Sequence, residues 1–325
     1  MPDLELLLDN RNGVIWDLSS LTTSITWTTS RRGRPARLDV TMLEKGLFQD
    51  PAFRVNTGDV IRLRDGDQTL FYGYVFTLEG GRDEAVKLLA YDQVRYLLAS
   101  DTYVFQGATA TEIVRQIAAD YNLRVGQLDD TGYRIPSMVE DGQKLLDIVE
   151  KALALTLINT GRNFVFFDDA GALALRNVED LMLDLVVGDG GILIDYTHKR
   201  SIDQDTYNRV KLVRDNQETG RRDVYMAQDS ASIARWGLLQ LYQTVDQDLN
   251  EAQIQQLLDT LIELHNRESR NLRVRAFGDS RVRAGCYVTV VIKRHGIAQP
   301  FLVDECVHRW DGAGDHTMEL ELKVV

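Results

Sequence analysis

Gly58-Asp59-Val60-Ile61-Arg62-Leu63, then Leu70-Phe71-Tyr72-Gly73-Tyr74-Val75, then Val86-Lys87-Leu88-Leu89-Ala90-Tyr91 is the stretch that decides the fold, because its plan returns near the C-terminus. The second copy is Gly285-Cys286-Tyr287-Val288-Thr289-Val290, Pro300-Phe301-Leu302-Val303-Asp304 and His316-Thr317-Met318-Glu319-Leu320-Glu321-Leu322. Each copy is a glycine opening a β-branched run, a polar turn, an aromatic-led strand, a second turn and an alternating strand. Apolar residues at period two mark strands buried on one face. Two similar small β-barrels are therefore expected in one chain.

Working outward, residues 1–100 read as β throughout. Leu38, Val40 and Met42 share one face of an alternating strand, and Asn12-Gly13, Asp65-Gly66 and Gly80-Gly81 supply turns that need positive φ. The character changes at Thr109-Ala110-Thr111-Glu112, a capping box that starts a helix, with Ile113, Val114, Ile117, Ala118 and Tyr121 on its stripe. A second helix carries Leu145, Leu146, Val149, Ala152 and Leu153, and Phe164 to Leu175 reads as a hairpin with an Asp-Ala-Gly turn in a three-to-four-residue loop. Residues 101–190 thus form an α+β insertion domain. The second barrel is expected over 191–229 and 267–325, interrupted by a helical arm at 230–266. In that arm Asn250 caps a helix with Gln253 at N3, and Ile254, Leu257, Leu258, Leu261 and Ile262 make its apolar face.

The chain has 325 residues, 44% of them hydrophobic, enough for two or three domains with proper cores. Its 49 acids against 37 bases give a net charge of -12, which argues against a general nucleic-acid binder. An acidic passage through which nucleic acid slides without sticking stays compatible with that sum. No apolar run approaches the ~20 residues of a membrane helix, and the start shows no basic n-region of a secretory signal. Cys286 and Cys306 lack redox or zinc spacing and read as free thiols of a protein folded in a reducing cytoplasm.

Candidate chemistry is thin. His308-Arg309-Trp310-Asp311-Gly312-Ala313-Gly314-Asp315-His316 has the composition of a metal loop but reads as a turn with histidines at two strand ends. Asp129-Asp130 and Asp168-Asp169 sit beside Gly132 and Gly171 in turn-like sequence, whereas an acid/base pair comes from separate elements. Arg31, Arg32, Arg34 and Arg37 form the one basic cluster. It is either a solvated loop or a contact with a neighbouring subunit or tube. Trp236, Leu239 and Tyr242, at i, i+3 and i+6 of the arm, are a second candidate interface.

The ordered motifs resemble a known family. Arg34-Pro35-Ala36-Arg37-Leu38, Gly58-Asp59-Val60, Gly73 within Phe71–Val75, and Tyr91-Asp92 to Tyr96 come first. Gly142-Gln143-Lys144, Asn208-Arg209-Val210, Gly285, His308 and His316 follow. Together they resemble the XkdQ/YqbQ family of phage tail hub proteins, and more distantly late-control protein D and the N-terminal part of VgrG. The resemblance implies an α+β, β-dominated fold class. It would comprise two similar tube-forming β-barrel domains, an α+β domain between them and a helical insertion in the second barrel.

It further implies a structural baseplate hub with no catalytic activity and no cofactor. Such a hub is a homotrimer whose pseudo-sixfold ring joins a hexameric tail tube to a trimeric central spike. The implied partners are further copies of the chain, the tail tube or tube-initiator protein, the central spike, baseplate wedge proteins and the tape measure protein. Stable nucleic-acid binding and membrane association are not implied, although DNA passes the lumen. The implied location is the tail or baseplate of a virion or contractile injection system, assembled in the bacterial cytoplasm. Two other readings stay open: a tail-associated cell-wall hydrolase using Asp168, Asp169 or His308, and a carbohydrate- or receptor-binding adhesin.

Overall fold

The computed structural model describes residues 4–43, 50, 52–82, 85–216, 220–247, 249–312 and 315–323. Strands dominate, at 53% against 20% helix. The first lobe contains β1 (Leu4–Asp9), β2 (Ile15–Asp17), β3 (Thr22–Ser30), β4 (Arg37–Leu43), β5 (Val60–Asp65), β6 (Gln68–Gly80) and β7 (Ala85–Tyr91). The α+β unit that follows has β8 (Ser100–Thr109), α1 (Ala110–Asp120), β9 (Val125–Leu128), β10 (Arg134–Lys144), α2 (Leu145–Thr160), β11 (Phe164–Asp169) and β12 (Ala172–Asn177). Next are β13 (Met182–Gly188) and β14 (Leu193–Ser201) of the second lobe. An inserted unit holds β15 (Arg209–Asn216), β16 (Arg221–Gln228), α3 (Ser230–Trp236), β17 (Gln240–Thr244) and α4 (Glu251–His265). The lobe resumes with β18 (Ser269–Phe277), β19 (Tyr287–Ile292), β20 (Ile297–Asp311) and β21 (His316–Lys323).

The two lobes repeat one another strand for strand. Lobe one pairs in the order β3-β4-β7-β6-β5-β1 and lobe two in the order β14-β18-β21-β20-β19-β13. In each, the long middle strand changes partner halfway. β6 pairs with β5 up to Tyr74 and with β7 beyond it, and β20 pairs with β19 up to Leu302 and with β21 beyond it. A register shift falls at the same place in both, between Val75 and Thr77 and between Val303 and Glu305. One extra residue there bends the strand so that it serves two sheets.

The turn before the repeat is also copied. The Gly58 N–H donates to Val75 O (2.7 Å) and the Val75 N–H returns to Asp59 O (2.9 Å); Gly285 and Val303 do the same at 2.8 Å and, through Cys286 O, 2.9 Å. Asp59 and Cys286 each donate backward three residues, to Asn56 O and Arg283 O. Gly58 and Gly285 lie at φ +89° and +93°, the third position of a type II turn that excludes a Cβ at low cost. One difference separates the copies: β1 runs antiparallel to β5, whereas β13 runs parallel to β19.

Each lobe curls around its own core. Leu6, Leu8, Trp27, Leu38, Ile61, Leu63, Phe71 and Leu88 fill the first, and Val274, Val288, Val290, Phe301, Cys306, Leu320 and their neighbours fill the second. Among the described residues the strand ladder of neither lobe closes fully on itself. A third core, around Ile113, Ile117, Leu145, Ile148 and Phe166, belongs to the α+β unit. The Thr109–Glu112 capping box is formed as expected. The β11–β12 hairpin, however, closes with two residues, Ala170 and Gly171, both at positive φ, the geometry that suits strand twist.

The interruption in the second lobe differs from a helical arm. β15, β16 and β17 make a separate three-stranded sheet, against which α4 packs Ile254, Leu258 and Leu261. The Asn250–Gln253 capping box starts α4 as expected, but residues 240–244 are a strand parallel to β15. Gly237 stops α3 at φ +80°.

Candidate assembly surface

While one edge of β20 stays paired with β21, its other edge pairs along β3 of the other lobe, from Glu305↔Ser30 to Asp311↔Ser24. This seam makes one continuous sheet of both lobes. Trp27 and His308 stack across it with centroids 5.2 Å apart. Buried Thr29 accepts the Ala284 N–H at 2.9 Å. At the seam's end Arg31 is the clamp. Its N–H donates to Asp304 O (2.9 Å), and its guanidinium meets Asp304 Oδ1 at 2.8 Å. Lys323 Nζ takes Oδ2 of the same carboxylate at 2.9 Å. Burial works to raise the Asp304 pKa, but the Lys323 hydrogen bond and the Arg31 charge outweigh it and hold the carboxyl below the usual range.

The rest of the basic cluster also turns to acids of this chain. Arg34 approaches Glu305 at 3.7 Å and Arg37 is bidentate on Asp39. Arg32 lies beside Glu150, its pKa lowered by burial and by Arg31. The cluster therefore joins lobe to lobe within one subunit before it offers anything to another.

His308, fully buried, has both ring nitrogens engaged. Val282 O, 2.7 Å from Nε2, can only accept, so Nε2 carries the proton and Nδ1 accepts from His316 Nε2 at 2.9 Å. His316 in turn stacks on Trp310 at 4.3 Å. Burial pushes His308 down to about 4. These histidines are seam packing; residues 313 and 314 of their loop lie outside the described residues.

A polar knot sits where the lobes meet the α+β unit. Gln93 donates to Asp168 Oδ2 at 2.7 Å, and Asp168 Oδ1 accepts the Gly171 N–H at 2.7 Å. Asp92 accepts from the Ala36 and Val94 N–H groups at 3.0 Å. Arg283 lies over the Phe167 ring at 3.6 Å and donates to the Asp168 carbonyl. Burial raises the pKa of both carboxyls, with Asp168 adding to the rise at Asp92. Asp168 and His308 have separate hydrogen-bond partners. Gln93 and Asp304 lie inside quoted motifs without a role assigned from sequence, and Arg283 and Thr29 carry no local motif that would have singled them out.

The remaining motif residues stabilise turns and strand crossings. Asp59 accepts from Asn10 Nδ2 (2.6 Å) and the Asn56 N–H (2.7 Å), and a Cβ on Gly73 would strike the Tyr91 carbonyl. Tyr91 and Tyr96 belong to an aromatic row with Tyr74 and Phe76, with Arg95 over Phe76. Asn208 is fully buried. It donates to Gly237 O (2.7 Å) and accepts the Leu239 N–H (2.9 Å), fixing the α3–β17 corner. Trp236, Leu239 and Tyr242 fall on α3, a connector and β17, so they do not share one helical face. Cys286 and Cys306 are buried and free, and burial raises the Cys286 thiol to about 11.

Among the described residues, two of the large sheet's open edges belong to strands at corresponding ends of the repeat. β14 pairs only with β18, and the half of β6 after Val75 pairs only with β7. Ile194 and Phe277 are exposed on β14 and β18.

The fold is shared with solved phage tail proteins. The 43 kDa tail protein of prophage MuSo2 from Shewanella oneidensis superposes with a TM-score of 0.71 at 15% identity, over 98% of each chain. The E. coli c3393 protein, a type VI secretion component described as similar to T4 gp27 and gp5, gives 0.56 at 11% identity, over 93% of this chain and 73% of its own. The chain belongs to the YqbQ-like family, whose profile matches residues 25–323. It is 31% identical to XkdQ of the phage-like element PBSX of Bacillus subtilis (strain 168), over 89% of this chain and 88% of XkdQ. It is 30% identical to YqbQ of the same organism, over 83% of this chain and 82% of YqbQ.

Proposed function

We propose that this chain is a structural hub of a phage or phage-like contractile tail. It acts as a homotrimer whose six lobes form a pseudo-sixfold ring between a hexameric tail tube and a trimeric central spike. The observation that carries this is the strand-for-strand repeat of the two lobes and their in-chain splice through β3 and β20. A subunit with two equivalent lobes presents twofold more faces than copies, so three copies match six tube subunits. The two lobes would meet the tube, the α+β units would set the threefold face for the spike, and the inserted unit at 206–266 would face baseplate wedge proteins. The tape measure protein and DNA would use the central passage, and the particle would assemble in the bacterial host cytoplasm.

The sheet face opposite the cores would line that passage. Its cross-strand rows alternate in sign, as in Asp195–Arg275–Glu319, and Arg273 is paired with Glu321. Acids and bases there are roughly balanced, so slipperiness comes from self-paired charge rather than from an acidic excess. The role is mechanical and needs no catalysis. Asp168 and His308 are each committed to packing and Asp169 is exposed beside Arg283, which supports a structural role, and no observation favours the adhesin reading.

The test is the molar mass of the purified chain by light scattering and its ring symmetry by electron microscopy. A trimer with six lobes of density is expected. A monomer in intact tails would overturn the proposal.

A further inference from the structure

We propose that the open edges of β6 and β14 are one interface: residues Thr77–Gly80 of β6 in one copy pair antiparallel with His198–Ser201 of β14 in the next. The inference rests on the trimeric ring proposed above and adds to it the strands and the register.

The internal repeat supplies both. Through their pairings with β7 and β21, Thr77, Leu78, Glu79 and Gly80 stand where Glu305, Cys306, Val307 and His308 stand in β20. Through β4 and β18, His198 and Lys199 stand where Trp27 and Thr28 stand in β3, and Ser201 follows at the place of Ser30. Within the chain those β20 and β3 residues are bonded to each other, Glu305 to Ser30 and His308 to Trp27. The same halves of β6 and β14 face no strand of their own subunit among the described residues. Seam residues Trp27, Thr29, Cys306 and His308 are buried, whereas their counterparts His198, Arg200, Leu78 and Gly80 are half-buried or exposed.

Carrying the seam register across sets Thr77 opposite Ser201, Leu78 opposite Arg200, Glu79 opposite Lys199 and Gly80 opposite His198. Glu79 and Lys199 are both exposed and of opposite charge, so the register places a complementary pair where the in-chain seam has Val307 opposite Thr28. The contact is head to tail, each copy offering one edge of each kind, so it stops only when the ring closes. A long open edge left unpaired is an aggregation hazard, which the pairing removes.

Directly opposed residues have Cα atoms about 4.5–5.5 Å apart, within reach of a disulfide. The double variant Glu79→Cys with Lys199→Cys, oxidised as the full chain, is expected to run as covalent trimer on a non-reducing gel. Each single variant should not. Leu78→Cys with Lys199→Cys points its thiols to opposite faces and should not cross-link either. Charge reversal gives an independent readout: Glu79→Lys should weaken trimerisation roughly tenfold per junction, and adding Lys199→Glu should restore it. A trimer by mass that cross-links through the off-register pair, or not through 79 and 199, overturns the pairing alone. A monomer by mass overturns the ring itself.

Discussion

Gly285→Ala and Gly58→Ala test whether the two turns are copies in backbone but not in surroundings. Both glycines sit at positive φ in a type II turn, so alanine costs about 1–2 kcal/mol of backbone strain at either. Some of that is offset by the lower entropy of the unfolded chain, leaving about 1 kcal/mol at Gly58, where a new Cβ meets nothing within 4 Å. At Gly285 the same Cβ would lie 2.7 Å from Val165 Cγ2 and 3.1 Å from its Cβ, in the tight contact between lobe two and β11. Overpacking there adds about 1–3 kcal/mol. Gly285→Ala should therefore cost about 2–4 kcal/mol. Calorimetry should register a loss of about 2–4 °C for Gly58→Ala and about two to four times that for Gly285→Ala. Because Val165 is the obstacle, Val165→Ala should cost less in the Gly285→Ala background than alone, a coupling read from the double-mutant cycle. Equal losses at the two glycines, or strict additivity with Val165, would refute the reasoning.

Other perturbations address the seam and the buried groups. His308 titrates near 4 when folded against 6.5 unfolded, so the unfolded chain binds more protons between these values. Its contribution is complete above pH 6.5 and is lost as the pH falls to about 4, by at most about 3 kcal/mol. The buried Asp92 and Asp168, with raised pKa values, pull the opposite way at the acid end. The stability-versus-pH slope between pH 6 and 4.5 should flatten in His308→Gln; an unchanged slope would count against the assignment. Arg31→Ala leaves the part-buried Asp304 with Lys323 alone and should cost about 2–3 kcal/mol, while Arg34→Ala, on an exposed pair, should stay within about 0.5 kcal/mol in the same urea titration. Cys286 and Cys306 should resist a thiol reagent until denaturant is added.

The parts of this fold written in local sequence were legible. Both three-strand repeats, the capping boxes at Thr109 and Asn250 and the helix beginning at Leu145 stand where alternation, caps and helical stripes put them. The strand at 240–244 was not. Trp236, Leu239 and Tyr242 satisfy a helical spacing by number, and only the Gly237 stop argues otherwise. What makes the segment a strand is parallel pairing with residues about thirty positions earlier, and such a partner leaves no periodicity in the segment itself. The seam was illegible for the same reason. Arg31 reads as a solvated basic loop until Asp304 is beside it, 273 residues away in sequence. The repeat announces that two lobes exist, but says nothing about which edge of one meets which edge of the other.

The departures from the repeat show how equivalent lobes acquire different jobs. In lobe two the face around Leu302 and Tyr287 is covered by Val165 and Val178 of the α+β unit. The matching position in lobe one is Tyr74, which opens onto Tyr72, Tyr96 and Arg11 instead. The added strand differs as well, antiparallel β1 against parallel β13, because β13 arrives from the α+β unit whereas β1 starts the described chain. None of these changes touches the shared strand order, the bulge or the type II turn, which are the features a sixfold collar needs from every lobe. They follow from how the α+β unit meets each lobe: it packs Val165 and Val178 on lobe two, but meets lobe one through Gly171 beside Tyr72 and Glu150 beside Gly33. In the trimer proposed above, six matching sheets would carry two alternating kinds of contact with the α+β units, and that alternation is a threefold surface made from a sixfold one.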